Sequence, residues 1–242
     1  MYTFGDDHAA LERLRLVAAA YRPVSRAFLA TNAPRRVGVA LDLGCGPAFS
    51  TELVDEVCAP KELVGIDASP DFLGVARARM PGAEFETHDV TSTPLPRAPA
   101  DLVYARLLLA HLGDPLGTVE AWRSQLAPGG ILLIEDLEGI DAPRGPLRIY
   151  DEVSSSIVRQ AGGLMYAGAV LAALGGQCRP VTVSAPTAAR IYLFNVRRWI
   201  EDPMNPIPRD RLRQLELELS ALVRHDVGAT VSWVVRQIAL SA

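Results

Sequence analysis

From residue 37 to residue 137, short aliphatic runs alternate with helix-patterned segments, and this alternation restricts the fold more than any other feature of the chain. VGVALDL (37–43), LVGID (63–67), AEFETHDV (83–90), ADLVYARLLL (100–109) and ILLIEDL (131–137) read as buried strands. Between them, 48–58 puts Leu53, Val54 and Val57 on one helical face. Ser69-Pro70 opens a helix toward Met80, and 115–126 is a helix stopped by Pro128-Gly129-Gly130. Strands and helices alternating at this pace form right-handed βαβ units and a mainly parallel sheet. Open sheets of this kind bind ligands at the carboxyl ends of their strands. Asp42, Asp67, Asp89, Arg106 and Glu135 all fall at or just past such ends.

The flanks have another character. Leu11, Leu14, Val17 and Ala18 recur at helical spacing within 8–30, and Pro23 is expected to break that run. Beyond residue 140, the segments 146–160, 166–174 and 208–223 read as helices, and 180–185 and 229–240 as strands. The stretch 186–228 is too long for a turn and is expected to form a helical cap. The expected organisation is one domain over 1–242: an N-terminal helical cap (1–36), a ligand-binding core (37–140), and a C-terminal part (141–242) that completes the sheet and supplies cap insertions.

Composition narrows the function. The chain has 242 residues, 49% hydrophobic and 21% charged, which fits a globular protein with a real core. Lys and Arg total 24 against 28 Asp and Glu, a formal charge of −4, which speaks against a protein held on nucleic acid by phosphate contacts. Cys45, Cys58 and Cys178 show no metal-type spacing, so no metal site is expected, and their odd number fits a reducing, cytoplasmic setting. MYTFGDDHAA has no apolar signal core, and no apolar run reaches the ~18 residues of a membrane span. Oligomeric state is not legible.

The chemistry is concentrated in LDLGCGPAFST (41–51). A nicotinamide dinucleotide wants GxGxxG with its pyrophosphate at a helix N-terminus, but here Phe49 stands at the third glycine. Asp42 would sit badly near a pyrophosphate and instead favours a ligand with an ammonium or sulfonium at its near end. S-adenosylmethionine carries both. Gly44 and Gly46 let such a ligand approach the main chain, with Cys45 as a small neighbour inside the turn. Asp67 can accept both ribose hydroxyl protons, although an acid there also serves NAD. Asp89 can accept from the adenine amine, while Ala68 and Val90 offer apolar contact to the ring. The combination separates the cofactors better than any one residue.

LDLGCGPAFST, VGIDASPDFLGVAR, HDVTSTPLP, ADLVYARLLLAHLGDP and LAPGGILLIEDLEGI resemble, in order and spacing, the motifs of class I S-adenosylmethionine-dependent methyltransferases over residues 37–137. The resemblance implies a Rossmann-like α/β fold: three αβα layers around a seven-stranded, mainly parallel sheet whose last strand, 229–240, runs antiparallel. The family often has a third glycine where Ala48 stands. The N-terminal segment is also similar to the cap of small-molecule members such as the trans-aconitate methyltransferase-like group.

Methyl transfer by in-line displacement at the sulfonium, leaving S-adenosylhomocysteine, is the implied reaction. A hydroxyl, phenol or acidic carbon acceptor would gain from a base, for which His111 comes first and Glu135 with Asp136 second. A carboxylate acceptor needs none, and Arg106 or Arg190 would hold it. The end of the fourth strand reads YARL, without an Asn/Asp-Pro-Pro-aromatic grip for a planar amide or flipped base, and no Pro-Cys thiolate is present. A small organic acceptor methylated at oxygen is therefore expected. The other reading is a protein of the same fold that binds the cofactor but catalyses a cyclisation or rearrangement.

Overall fold

The computed structural model describes residues 8–226 and 228–242; the first seven residues of the cap expected over 1–36 lie outside them. Five strands follow the alternation: β1 (Val39–Leu43), β2 (Glu62–Asp67), β3 (Glu84–Thr87), β4 (Ala100–Arg106) and β5 (Leu126–Asp141). Two more, β6 (Gln177–Ser184) and β7 (Thr230–Ser241), complete a seven-stranded sheet of order β3-β2-β1-β4-β5-β7-β6. β7 runs antiparallel to both β5 and β6, and the other pairings are parallel.

The strand period of two sorts side chains into layers. Ala40, Leu102, Tyr104 and Leu133 face Phe28 and Leu29 of α1 (His8–Asn32) and Leu53 and Val54 of α2 (Phe49–Cys58). The alternate residues Leu41, Leu43, Val103, Ala105, Leu132 and Ile134 face Val119 and Trp122 of α4 (Pro115–Arg123) and Leu171 of α6 (Ala167–Leu171). Beside β3, α3 (Pro70–Arg79) packs Leu73 and Ala76 against Phe85 and Cys45. A further core joins α5 (Pro146–Gln160), α7 (Ala185–Glu201) and α8 (Arg209–Arg224) to Tyr21 of α1 and to Trp233 and Val235 of β7. These helices form the cap.

Three local expectations are corrected. Pro23 does not break the first helix, because Tyr21, Ser25, Phe28 and Leu29 bury one continuous face around it and packing outweighs the lost hydrogen bond. The third strand ends at Thr87, leaving His88, Asp89 and Val90 beyond the sheet. Pro128-Gly129-Gly130 lies inside β5: the register with β4 shifts there, and a Cβ on Gly130 would stand 2.7 Å from the Ala100 carbonyl oxygen.

Candidate active site

A cavity of about 720 Å³ opens at the carboxyl ends of β1, β2 and β4 and continues under the cap. That is within the range of small-molecule sites. Its floor is the turn after β1. Gly44 and Gly46 adopt φ of +63° and +52°, the left-handed region that favours glycine. A Cβ on Gly44 would come within 2.7 Å of Leu108 Cδ1, whereas one on Gly46 would meet no protein atom within 4 Å and would enter the cavity. The main chain is therefore bare where a ligand would lie. Cys45 is buried beside it, and burial pushes its thiol well above the ordinary range, so it is neutral and no nucleophile.

Asp67 ends β2 and holds this turn. Its Oδ2 accepts from Gly46 N and its Oδ1 from Ser69 N, both at 2.8 Å. Asp67 also lines the cavity, at the carboxyl end of β2. Asp89 is exposed on the cavity wall, and hydrogen bonds from the Thr91 amide and hydroxyl lower its pKa. Trp122 Nε1 donates to Val90 O at 2.8 Å, which fixes the segment carrying Val90; Val90 and Ala68 both line the cavity. Arg106, at the end of β4, also lines the cavity, its Nη1 3.5 Å from Ser25 Oγ.

Three predicted residues are not in the cavity wall: Asp42, Glu135 and Arg190. Asp42 is fully buried; Ser50 and Thr51 hydroxyls of α2 donate to its Oδ2 at 2.7 Å each. Its Oδ1 has no protein partner among the described residues, and burial raises the carboxyl to about 6 against the hydroxyls that lower it. Asp42 thus ties the first turn of α2 to β1 and presents one unsatisfied oxygen beneath the glycine turn. Glu135 is likewise fully buried: Tyr104 Oη donates to Oε2 at 2.5 Å and Gln237 Nε2 to Oε1 at 2.7 Å. Both of its oxygens are engaged by neighbouring strands, which is the geometry of a brace rather than a base.

His111 does line the cavity, in a 3₁₀ turn after β4. Burial, with Arg13 adding to it, lowers its pKa to about 4, so the ring is neutral at physiological pH and a weak base. The turn is held by Asp136, whose Oδ2 accepts from Leu109 N at 2.8 Å and whose Oδ1 accepts from Leu137 N at 2.9 Å. Sequence reasoning paired Asp136 with Glu135, but only Asp136 reaches the wall. It missed Arg13, Asn195 and Arg198, which also line the cavity, while Arg190 is exposed and does not. A signal existed for two of them: Arg13 and Asn195 are polar residues at core-facing helical positions, between Ala10 and Val17 and between Ile191 and Trp199.

The bare glycine turn, Asp67 beside it at the end of β2, and Asp89 with Val90 on the wall fit an adenosyl sulfonium with an amino-acid tail. Comparisons with known proteins agree. The methyltransferase domain family matches residues 41–134. Trans-aconitate 2-methyltransferase of Azoarcus sp. is 33% identical over 80% of this chain and 65% of its own length. The enzyme of that name from Variovorax paradoxus is 33% identical over 72% and 66%, and that from Methylobacterium nodulans 39% identical over 46% and 42%. The chain thus spans less than two thirds of each of these relatives. In fold it is similar to S-adenosylmethionine-dependent methyltransferases from Thiobacillus denitrificans (TM-score 0.53, 16% identity, 91% and 92% of the two chains) and Geobacter sulfurreducens (0.53, 20%, 96% and 91%), both solved with S-adenosyl-L-homocysteine. Residues 41–134 thus match a methyltransferase domain, and motif order and topology are those of the class I S-adenosylmethionine-dependent methyltransferase fold.

Proposed function

We propose that this chain transfers the methyl group of S-adenosylmethionine to a carboxylate oxygen of a small organic acid. The observation that carries this reading is the cavity running from the glycine turn to a cap-side compartment with Arg13, Arg106 and Arg198 in its wall. The bound cofactor supplies an electrophilic methyl carbon. Transfer would form a C–O bond from a carboxylate lone pair and break the C–S bond, whose electron pair would leave on sulfur. No proton moves, so a histidine with a pKa of about 4 suffices as a wall group. The residues then have positioning tasks: Asp67 and Asp89 on the nucleoside, the arginines on the acid, the cap helices excluding water. Holding the oxygen about 3 Å from the methyl carbon in line supplies several kcal/mol of the barrier. The relatives' names support the acid, since trans-aconitate is a tricarboxylate. We further read 1–242 as one working domain of the reducing cytoplasm; among the described residues no helix is long and apolar enough to cross a membrane.

The test is calorimetric titration of wild type and Gly46→Ala with S-adenosylhomocysteine, then an assay of S-adenosylhomocysteine release against a panel of carboxylic acids. Micromolar binding weakened at least about ten-fold by the added methyl, with turnover on an acid, supports the proposal. Binding without methyl transfer to any acceptor would favour the cyclisation or rearrangement reading. No binding of S-adenosylhomocysteine would overturn both.

A further inference from the structure

The cap side of the cavity is built from groups that carboxylate binding alone does not call for. Tyr150 and Tyr192 stack with ring centroids 3.7 Å apart and planes 7° from parallel, and Tyr21 stacks on Trp233 at 5.7 Å and 10°. All four rings contribute to the wall, and Trp233 Nε1 donates to Tyr192 Oη at 2.8 Å, fixing one ring against the other. Their faces and edges offer flat, polarisable contact.

Among these rings stands Asn195, on the buried face of α7 with Ile191, Tyr192 and Trp199, and only 3% exposed. Its Nδ2 donates to Tyr150 Oη, which orients the amide. The Oδ1 that results has no partner among the described residues, and the side chain lines the cavity. Buried amide oxygens are nearly always paired, so an orphan on a residue of the cavity wall points to a donor from the cavity's occupant, reached by a small adjustment of the wall. Carboxylates cannot supply it, because an ionised carboxylate only accepts.

We propose that this end of the cavity is the specificity subsite for the acceptor, taking a planar aromatic or conjugated acid whose hydroxyl or amino group donates to Asn195 Oδ1. The inference rests on the carboxylate-acceptor reading above and separates this chain's acceptor from trans-aconitate, which has no such donor at neutral pH.

The experiment compares benzoate, meta- and para-hydroxybenzoate, meta-aminobenzoate and trans-aconitate with the full chain. It measures initial rates of methyl transfer and, separately, calorimetric binding to the chain saturated with S-adenosylhomocysteine. At least one hydroxy or amino acid is expected to exceed benzoate by about ten-fold in both affinity and kcat/KM. Asn195→Leu is expected to erase that advantage, with S-adenosylhomocysteine affinity serving as the control for folding. The wild-type series alone decides the matter if the variant does not fold. Equal handling of benzoate and its substituted forms by wild type overturns the subsite, as does preference for trans-aconitate unaltered by Asn195→Leu; methyl transfer to trans-aconitate would then leave the wider function standing. Asn195-dependent binding of a hydroxy acid without any ester formed supports the subsite and overturns the methyl-transfer reading instead.

Discussion

At the scale of single residues, conformation and desolvation set what each group can do. Ala48 holds φ +69° at the N-cap of α2, with its amide donating to Cys45 O at 3.0 Å. This is where the family often carries a third glycine, and the left-handed backbone is the physical reason for one: a Cβ there costs roughly 1–2 kcal/mol. Ala48→Gly is therefore expected to raise unfolding free energy by about 1 kcal/mol in urea titration, after the greater chain entropy of glycine is offset. His111 gives a second test. With a carboxylate acceptor and a ring already neutral, His111→Gln is expected to slow kcat less than about ten-fold, whereas loss of a true general base costs roughly 10²–10⁴-fold. A kcat profile flat between about pH 7 and 8 would agree, since the ring's pKa of about 4 and that of Asp136, about 6, both lie below that window.

Elements decide which of two neighbouring acids belongs to the chemistry. Glu135 and Asp136 are consecutive on β5, so the strand sends them to opposite faces. Glu135 enters the layer beneath α1, where it joins Tyr104 of β4 to Gln237 of β7. Asp136 turns toward the cavity and gathers the amides of the turn that carries His111. Glu135→Ala leaves the Tyr104 hydroxyl and the Gln237 amide without their acceptor across three strands. It is expected to lower stability by about 1–3 kcal/mol in denaturant titration. Turnover per folded molecule should stay within about two-fold of wild type, since a base would cost far more.

For the whole molecule, ligand binding and protonation enter stability together. S-adenosylhomocysteine at a hundred times its Kd should add about 2.7 kcal/mol and raise Tm by about 5–10 °C for a chain of this size. Protonation works in two directions. Asp42 and Asp136 have folded pKa values of about 6 against an ordinary 3.8, so the stability they contribute is present at low pH and lost as pH rises through 6. His111, lowered from 6.5 to about 4, contributes stability above 6.5 that is lost as pH falls toward 4. The effects oppose each other across about pH 4–6.5. Thermal melts of His111→Gln should therefore favour pH 5 over pH 7 by a wider margin than those of wild type.

The sequence by itself determined the strand-helix alternation, the mainly parallel sheet, the glycine turn, and the acids Asp67, at the end of β2, and Asp89, just past β3. These are local properties: hydrophobic period, turn chemistry and residue type act within a few positions of one another. It did not determine which side of a strand an acid faces once two candidates are adjacent, as Glu135 and Asp136 show. Nor did it reveal that Pro23 sits inside a helix, or that Pro128-Gly129-Gly130 sits inside a strand. At Pro23 the burial of distant partners outweighs local preference, and at Pro128-Gly129-Gly130 the strand continues through a register shift with β4 although Pro128 and Gly129 are exposed. Only the tertiary structure brought Arg13 from the first helix, Asp136 from the sheet, and Asn195 and Arg198 from the cap to one cavity. They come from three elements, α1, β5 and α7, and no spacing along a chain encodes a distance through space.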